Sequence, residues 1–412
     1  MDMALIVVRH DTGRPGLYGA AAGIVAAQCG ARVMHGPVRL DEVRDPDACQ
    51  HVGTGPDRVA SGLLHAERLT GRQVDVIATP AQIVAAAATD DVVVPLDGLL
   101  DAGTGFVTDL LRRGAAVGLR RVSAYQDGAV LMCRDDEDGT VVAHAVRDGF
   151  GRFLPETHDA GGAEAGRVSV VLIGRPVTHH EVYPGALAAL GDAADALGIG
   201  VDVTFVDPAA ADDDPCYTAL TDFDGMLLPG GAAAPGARGQ VRAATVALES
   251  GVPVMGQCLG MQTMVTAFAR SRAGLPDATM AEIAGGAAGV HSFIPHPHYR
   301  LGTGKLSPVP DTVLGAMLVD GAACVRSNHR YVLNTRLLPG LVAAGLRVGA
   351  WNDDADVVEG IEVPSHPFYM GMQGHPELSS IPGSPHPLCV AFLRAALTRR
   401  DGRAEAENRK ER

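Results

Sequence analysis

The chain has 412 residues, 47% of them hydrophobic and spread along its length, and carries 48 acidic against 34 basic side chains for a net charge of −14. That length exceeds one ordinary hydrophobic core and predicts two domains. The acidic excess, with no clustered basic face, excludes nucleic acid or an anionic membrane as the main partner, and no apolar run reaches a membrane-spanning length. Seven cysteines, an odd number without CxxC spacing, fit a reducing compartment better than a disulfide framework. Asp2 comes early and the chain runs straight into a strand-like segment, unlike a signal peptide, so the expected location is the cytoplasm.

Short apolar runs alternate with longer amphipathic stretches from end to end. This predicts an α/β protein of two domains, each a mainly parallel sheet flanked by helices. Ala4–Val8 reads as the first strand, the stretch Arg58–Thr70 as a helix and Val74–Ile77 as a strand. The segment Asp148–Gly166, with its glycines and Pro155, interrupts the rhythm. Residues 1–150 are therefore expected to form one α/β domain and 151–166 a linker. The rhythm restarts with a strand at Val168–Ile173, a helix near Ala186–Leu197 and a strand at Val201–Val206. The acidic turn Asp212–Asp214 reads as a solvated loop and not a metal site. A strand at Gly225–Leu228 and a glycine-rich loop, Gly230–Gly239, follow. The second domain is expected over 167–399, and the charged stretch 400–412 as a disordered tail.

The most informative segment is Val252–Gln262, an apolar strand ending in G-x-C-x-G and passing directly into a helix over Met261–Arg270. It reads as a nucleophile elbow, a strained turn that pushes the Cys258 side chain out while small neighbours let strand and helix approach. A thiol at a helix N-terminus is favoured as thiolate by the macrodipole, and the N–H of Leu259 is placed to stabilise an oxyanion. Alone, the pattern also fits a buried structural cysteine. The segment Phe368–Glu377 supplies what that reading lacks, a strand delivering His375 with Glu377 two residues on. A thiol nucleophile needs a base to take its proton and an acid to orient the imidazole. The strand end Leu227-Leu228-Pro229-Gly230-Gly231 lacks the G-K-[ST] of a phosphate loop; Gly231 reads as the second oxyanion donor.

These three segments, in this order, resemble the glutaminase domain of the class I (triad) glutamine amidotransferases, and within that group the glutaminase half of CTP synthases, from about Arg167 to Arg399. The resemblance implies a class I glutaminase-type fold and L-glutamine as substrate. It implies that Gln262, Glu282 in Asp277–Ile283 and Arg330 in Asn328–Asn334, with Tyr331 beside it, contact that substrate. Glu282 would meet the α-ammonium group and Arg330 the α-carboxylate. No cofactor is implied and no metal site: the His291, His296 and His298 group, with its H-x-H spacing, has no cysteine or carboxylate near in sequence. Gly231–Gly236 departs from the family's F-G-x-R-G type of loop, and Gly374 stands where a tyrosine usually precedes the histidine. The ATP- and UTP-binding half of CTP synthase is not expected, since the N-terminal half has no P-loop.

In the N-terminal half, Ile6–Thr12 resembles the L-V-R-H-G-E-T opening of histidine phosphatases, but Ile83 and Ala124 stand where a second arginine and a second histidine would clamp phosphate. The resemblance implies a degenerate phosphatase-like domain; an unrelated α/β fold is the alternative, and Arg9 and His10 are candidates for holding an anion. The functional expectation is an amidotransferase that passes ammonia to an acceptor on the N-terminal domain or on a partner enzyme, with a homo-oligomer allowed. A stand-alone glutaminase or γ-glutamyl hydrolase, and an inert regulatory scaffold, are the competing readings.

Overall fold

The structure, a computed structural model, describes residues 5–41, 43–48, 59–74, 76–100, 104–154, 166–210, 215–231, 234–285, 289–319, 323–354 and 356–410. The chain divides into two compact units, one of Met1–Asp159 with Val177–Ala188, the other of Ala160–Pro176 with Ala189–Arg412. Among the described residues no helix is long and apolar enough to cross a membrane. The acidic turn at 212–214 lies outside them.

In the first unit β1 (Leu5–Arg9), β2 (Arg32–Val33), β3 (Val92–Leu96) and β4 (Leu119–Asp127) are parallel, in the order β2-β3-β1-β4. β1 is buried on both sides through Val8, as its unbroken apolar run requires. The sheet then continues antiparallel through β5 (Val130–Asp135), β6 (Val141–Arg147) and β7 (Phe153–Leu154). This half departs from the expected parallel arrangement. Only Gly128 and Ala129 join β4 to β5, and Gly128 takes φ 57°, a tight hairpin with no room for a crossover helix.

Three local expectations are corrected. Among the described residues of Val74–Ile77 no strand forms; Ile77 makes a single bridge to His35. The first unit does not close at 150, because β7 extends its sheet, and Val177–Ala188 packs with it as well. There Arg14 pairs with Glu181 at 3.2 Å, Ser61 donates to the Val182 carbonyl and Arg147 to that of His180. A Cβ on Gly16 would lie 2.6 Å from the Glu181 carbonyl carbon, so only glycine admits this approach. The described part of the C-terminal stretch, 400–410, is no disordered tail but belongs to a helix running Pro387–Lys410. Its charges are spent on the fold: Arg399 donates to the carbonyls of Thr221 (2.9 Å) and Phe223 (3.1 Å), and Arg403 pairs with Asp224 at 3.5 Å.

In the second unit β8 (Arg167–Ile173), β9 (Gly200–Val206), β10 (Gly225–Leu228), β11 (Val254–Gln257), β12 (Thr279–Met280), β13 (His291–Pro308), β14 (Cys324–Leu333), β15 (Arg347–Asn352), β16 (Val358–Glu362) and β17 (Tyr369–Met372) form one ten-stranded sheet. Its order is β12-β13-β15-β16-β17-β11-β10-β8-β9, with β14 on β13. β9, β8, β10, β11 and β17 are parallel to one another. β11 and β17 are therefore neighbours in the middle of the sheet, and their carboxyl ends carry Cys258 and the Gln373–Glu377 segment.

Candidate functional site

Cys258 joins β11 to the helix Leu259–Ser271 and is held at φ 50°, ψ −107°. Only one other non-glycine among the described residues has a positive φ, Asp311. The glycines on either side explain how so sharp a turn closes. A Cβ on Gly256 would lie 2.4 Å from Met264 Sδ and 2.7 Å from the Met261 nitrogen; one on Gly260 would lie 2.0 Å from the Leu228 carbonyl oxygen. The strand–helix and helix–β10 contacts are thus backbone against backbone. The Cys258 N–H donates to the Met372 carbonyl at 2.8 Å, which ties the elbow to β17.

That tie brings His375 alongside. Its N–H donates to the Arg326 carbonyl at 2.8 Å, and its Nδ1 lies 2.7 Å from Glu377 Oε1. Both side chains are fully buried. Gly230 marks how near the thiol comes: a Cβ there would be 3.2 Å from His375 Cε1 and 3.5 Å from Cys258 Cβ. Burial pulls the His375 pKa down, but the negative neighbours Glu377 and Cys258 outweigh it and raise the pKa to about 10. The imidazole keeps its proton at neutral pH. The Gly374 departure also has a cause, since a Cβ there would lie 2.5 Å from Val325 Cγ2.

Gln262 is buried on the first turns of the Cys258 helix, with no partner for its side-chain oxygen among the described residues. Burial raises the pKa of Glu282, and Arg330 opposes that rise, so the two charges feel each other. Arg330 is exposed and stacks 4.7 Å above the Tyr299 ring, whose hydroxyl donates to Asn328. Tyr331 is half-buried against the core. The Leu259 side chain is buried at the start of the helix that follows Cys258, and Gly231 ends the described part of its loop, 232–233 lying outside it. His296 Nδ1 is 2.9 Å from the His298 carbonyl. Among the described residues no group of three or more His, Cys, Asp or Glu side chains gathers as metal ligands do. In the first unit, Ile83 is core and Ala124 lines a cavity with Arg9 and His10.

Sequence reasoning missed three groups. Gln373, fully buried, points Nε2 at Cys258 Sγ at 3.8 Å; its place two residues before His375 was the available signal. Gln240 Nε2 donates to the Pro229 carbonyl at 3.0 Å and so fixes the Gly230–Gly231 loop. Behind the centre, Arg300 pairs with fully buried Glu359 at 2.8 Å, with His329 at 4.0 Å. No local pattern foretells a pair drawn from β13 and β16.

Burial lifts the Glu359 carboxyl from 4.5 to about 7, against the pull of Arg300. The native state therefore holds this proton more tightly than the unfolded chain, and the group costs stability as pH rises from 4.5 to about 7. Arg300→Leu would lift it further, so the loss is expected to be about 3 kcal/mol at neutral pH and distinctly smaller in acid. Urea melts at two pH values check this; an equal loss at both would remove Glu359 from the account.

The family model for glutamine amidotransferase class-I matches residues 188–395, half of the chain. The chain belongs to the class I glutamine amidotransferases. CTP synthases of Acidobacterium capsulatum and Thermus thermophilus are each 34% identical to it, over 259 and 251 residues, or 58% and 56% of this chain. Those matches span 46% and 44% of the two relatives, so the amidotransferase covers less than half of their length. Among solved structures, the glutaminase domain of Trypanosoma brucei CTPS with bound acivicin superposes with a TM-score of 0.52 at 27% identity, over 56% of this chain and 94% of that domain.

Proposed function

We propose that Cys258, His375 and Glu377 form a triad that hydrolyses L-glutamine to glutamate and ammonia. The observation that carries this reading is one shared contact: the vacant Cβ position of Gly230 touches both the Cys258 Cβ and the His375 ring, whose Nδ1 is held by Glu377. Cys258 Sγ attacks the side-chain amide carbon, and the N–H groups of Leu259 and Gly231 take the developing oxyanion. His375 passes its proton to the leaving nitrogen; the C–N bond breaks and a γ-glutamyl thioester remains. Water, deprotonated by His375, then cleaves the C–S bond and restores the thiol pair. Neutral ammonia goes to an acceptor on the first unit or on a partner.

Glu282, whose carboxyl feels the positive charge of Arg330, and Arg330 itself suit the two ends of an amino acid zwitterion, with Gln262 and Tyr331 completing the pocket. Charge-assisted hydrogen bonds of this kind are each worth about 1.5–3 kcal/mol. Glu282→Gln and Arg330→Lys are therefore each expected to raise KM for glutamine at least about tenfold while leaving kcat within a few-fold. Steady-state glutamate assays check this, and a fall in kcat at unchanged KM would place both residues elsewhere in the mechanism. Labelling by a glutamine-like diazoketone tests the whole assignment. Mass shift at Cys258, prevented by excess glutamine, is the expected result; labelling at another cysteine overturns it.

The second reading is hydrolysis without an acceptor, since the likeness to the CTP synthases is confined to less than half of each of them. Full-rate glutamate and ammonia release by the purified chain alone would decide for the stand-alone glutaminase.

A further inference from the structure

The first unit carries a cavity that glutamine hydrolysis does not use. Adjacent parallel strands β1 and β3 lead to opposite faces of their sheet. The helix Ala20–Cys29 packs with Ile6 and Val8, whereas the helix Thr104–Gly114 places Leu110 with Leu5 and Val7. Where connections diverge in this way, a crevice opens outside the carboxyl ends of the strands. Its loops are pinned in place. Asp97 Oδ2 accepts the N–H groups of Thr12 and Gly13, each at 2.9 Å, and Asp11 Oδ1 accepts that of Gly98 at 2.8 Å.

Beside this crevice, on the face of the sheet that the helix Thr104–Gly114 covers, lies a cavity of about 540 Å³, the size of a small-molecule site. Leu96, Val107 and Leu111 give it an apolar wall, and Arg9, Arg39 and Arg121 line it with positive charge against one lining carboxylate, Asp136. Arg9 is already engaged by Asp11 at 2.6 Å. Among the described residues the side chains of Arg39 and Arg121 make no ion pair or hydrogen bond, although carboxylates are abundant in this acidic chain. Both arginines are exposed, so neither is needed to complete the core.

We propose that this cavity binds a small organic anion, with a phosphate or carboxylate group on Arg39 and Arg121 and an apolar body against Leu96, Val107 and Leu111. The guanidinium fork matches either acid group. The wall selects for the body, since a bare ion would leave that apolar surface wet. This binding goes beyond the proposed glutaminase reaction and does not depend on it.

Calorimetric titration of the full chain with phenyl phosphate, phenylacetate and inorganic phosphate tests the proposal. At least one aromatic anion is expected to bind saturably at one site per chain, and inorganic phosphate at least about tenfold more weakly. Phenyl phosphate and phenylacetate distinguish the two acid groups. Arg39→Ala with Arg121→Ala is expected to weaken binding at least about tenfold at an unchanged melting temperature; Arg121→Gln alone substitutes should that variant melt early. Cys258→Ala is expected to bind as the native chain does, so failure of the glutaminase reading would leave this one standing. No saturable binding by either aromatic anion, or equal binding by the arginine variants, overturns it.

Discussion

Replacing Cys258 by alanine is expected to reduce glutamate release from glutamine by about 10⁴-fold or more, to the background of a site that binds but cannot form a thioester. The protein should remain folded, because a methyl group fits where the thiol stood. It should also change how His375 titrates. The native imidazole holds its proton up to about pH 10 because Glu377 and Cys258 overcome burial. It thus contributes stability that is complete below its ordinary pKa of 6.5 and is lost as pH rises towards 10. Without the thiol one of the two negative neighbours is gone, and the midpoint should fall. Glutamate assays and imidazole NMR on the same variant read both effects. Undiminished glutamate release would end the triad assignment whatever the imidazole does.

Gly260→Ala is expected to be among the most damaging single methyls in the second unit. The added carbon would sit 2.0 Å from the Leu228 carbonyl oxygen, and neither partner is a flexible side-chain end. Relief requires the helix Leu259–Ser271 to move away from β10, which separates Cys258 from Gly230 and Gly231. A loss of at least about 4 kcal/mol is expected, with activity falling further than stability because Leu259 and Gly231, the two oxyanion donors we propose, lie on opposite sides of the forced gap. Denaturant melts beside glutamate assays check it. A variant that melts like the native protein would mean that the elbow has slack the contact distances deny.

The site was legible in the sequence wherever backbone geometry demands a particular residue. Gly256 and Gly260 announce the elbow because a Cβ at either position meets main chain within 2.7 Å, and β10, β11 and β17 follow from short apolar runs buried on both faces. Legibility failed where charge decides structure through distant partners. The arginines of the last helix look like a solvated tail until the carbonyls of Thr221 and Phe223 are seen to receive Arg399. The Arg300–Glu359 pair joins strands far apart in sequence. The antiparallel half of the first sheet went unread because alternation within β4 and β5 gives no sense of direction; the connection through Gly128 does.

The course of the chain through Val177–Ala188 bears on how this molecule is dissected. After β8 has opened the second unit, the polypeptide returns to the first for these few residues and only then proceeds. A single cut between the halves, at any peptide bond, therefore yields no pair of self-sufficient fragments. A glutaminase piece beginning at residue 167 would take Val182 and Tyr183, both buried in the intact chain, out of the packing they belong to and expose them to water. The remaining piece would present the bare face of Gly16 and Ser61 that meets Glu181 and Val182. Insolubility of such fragments would report on this exchange of sequence and carry no information about the catalytic apparatus.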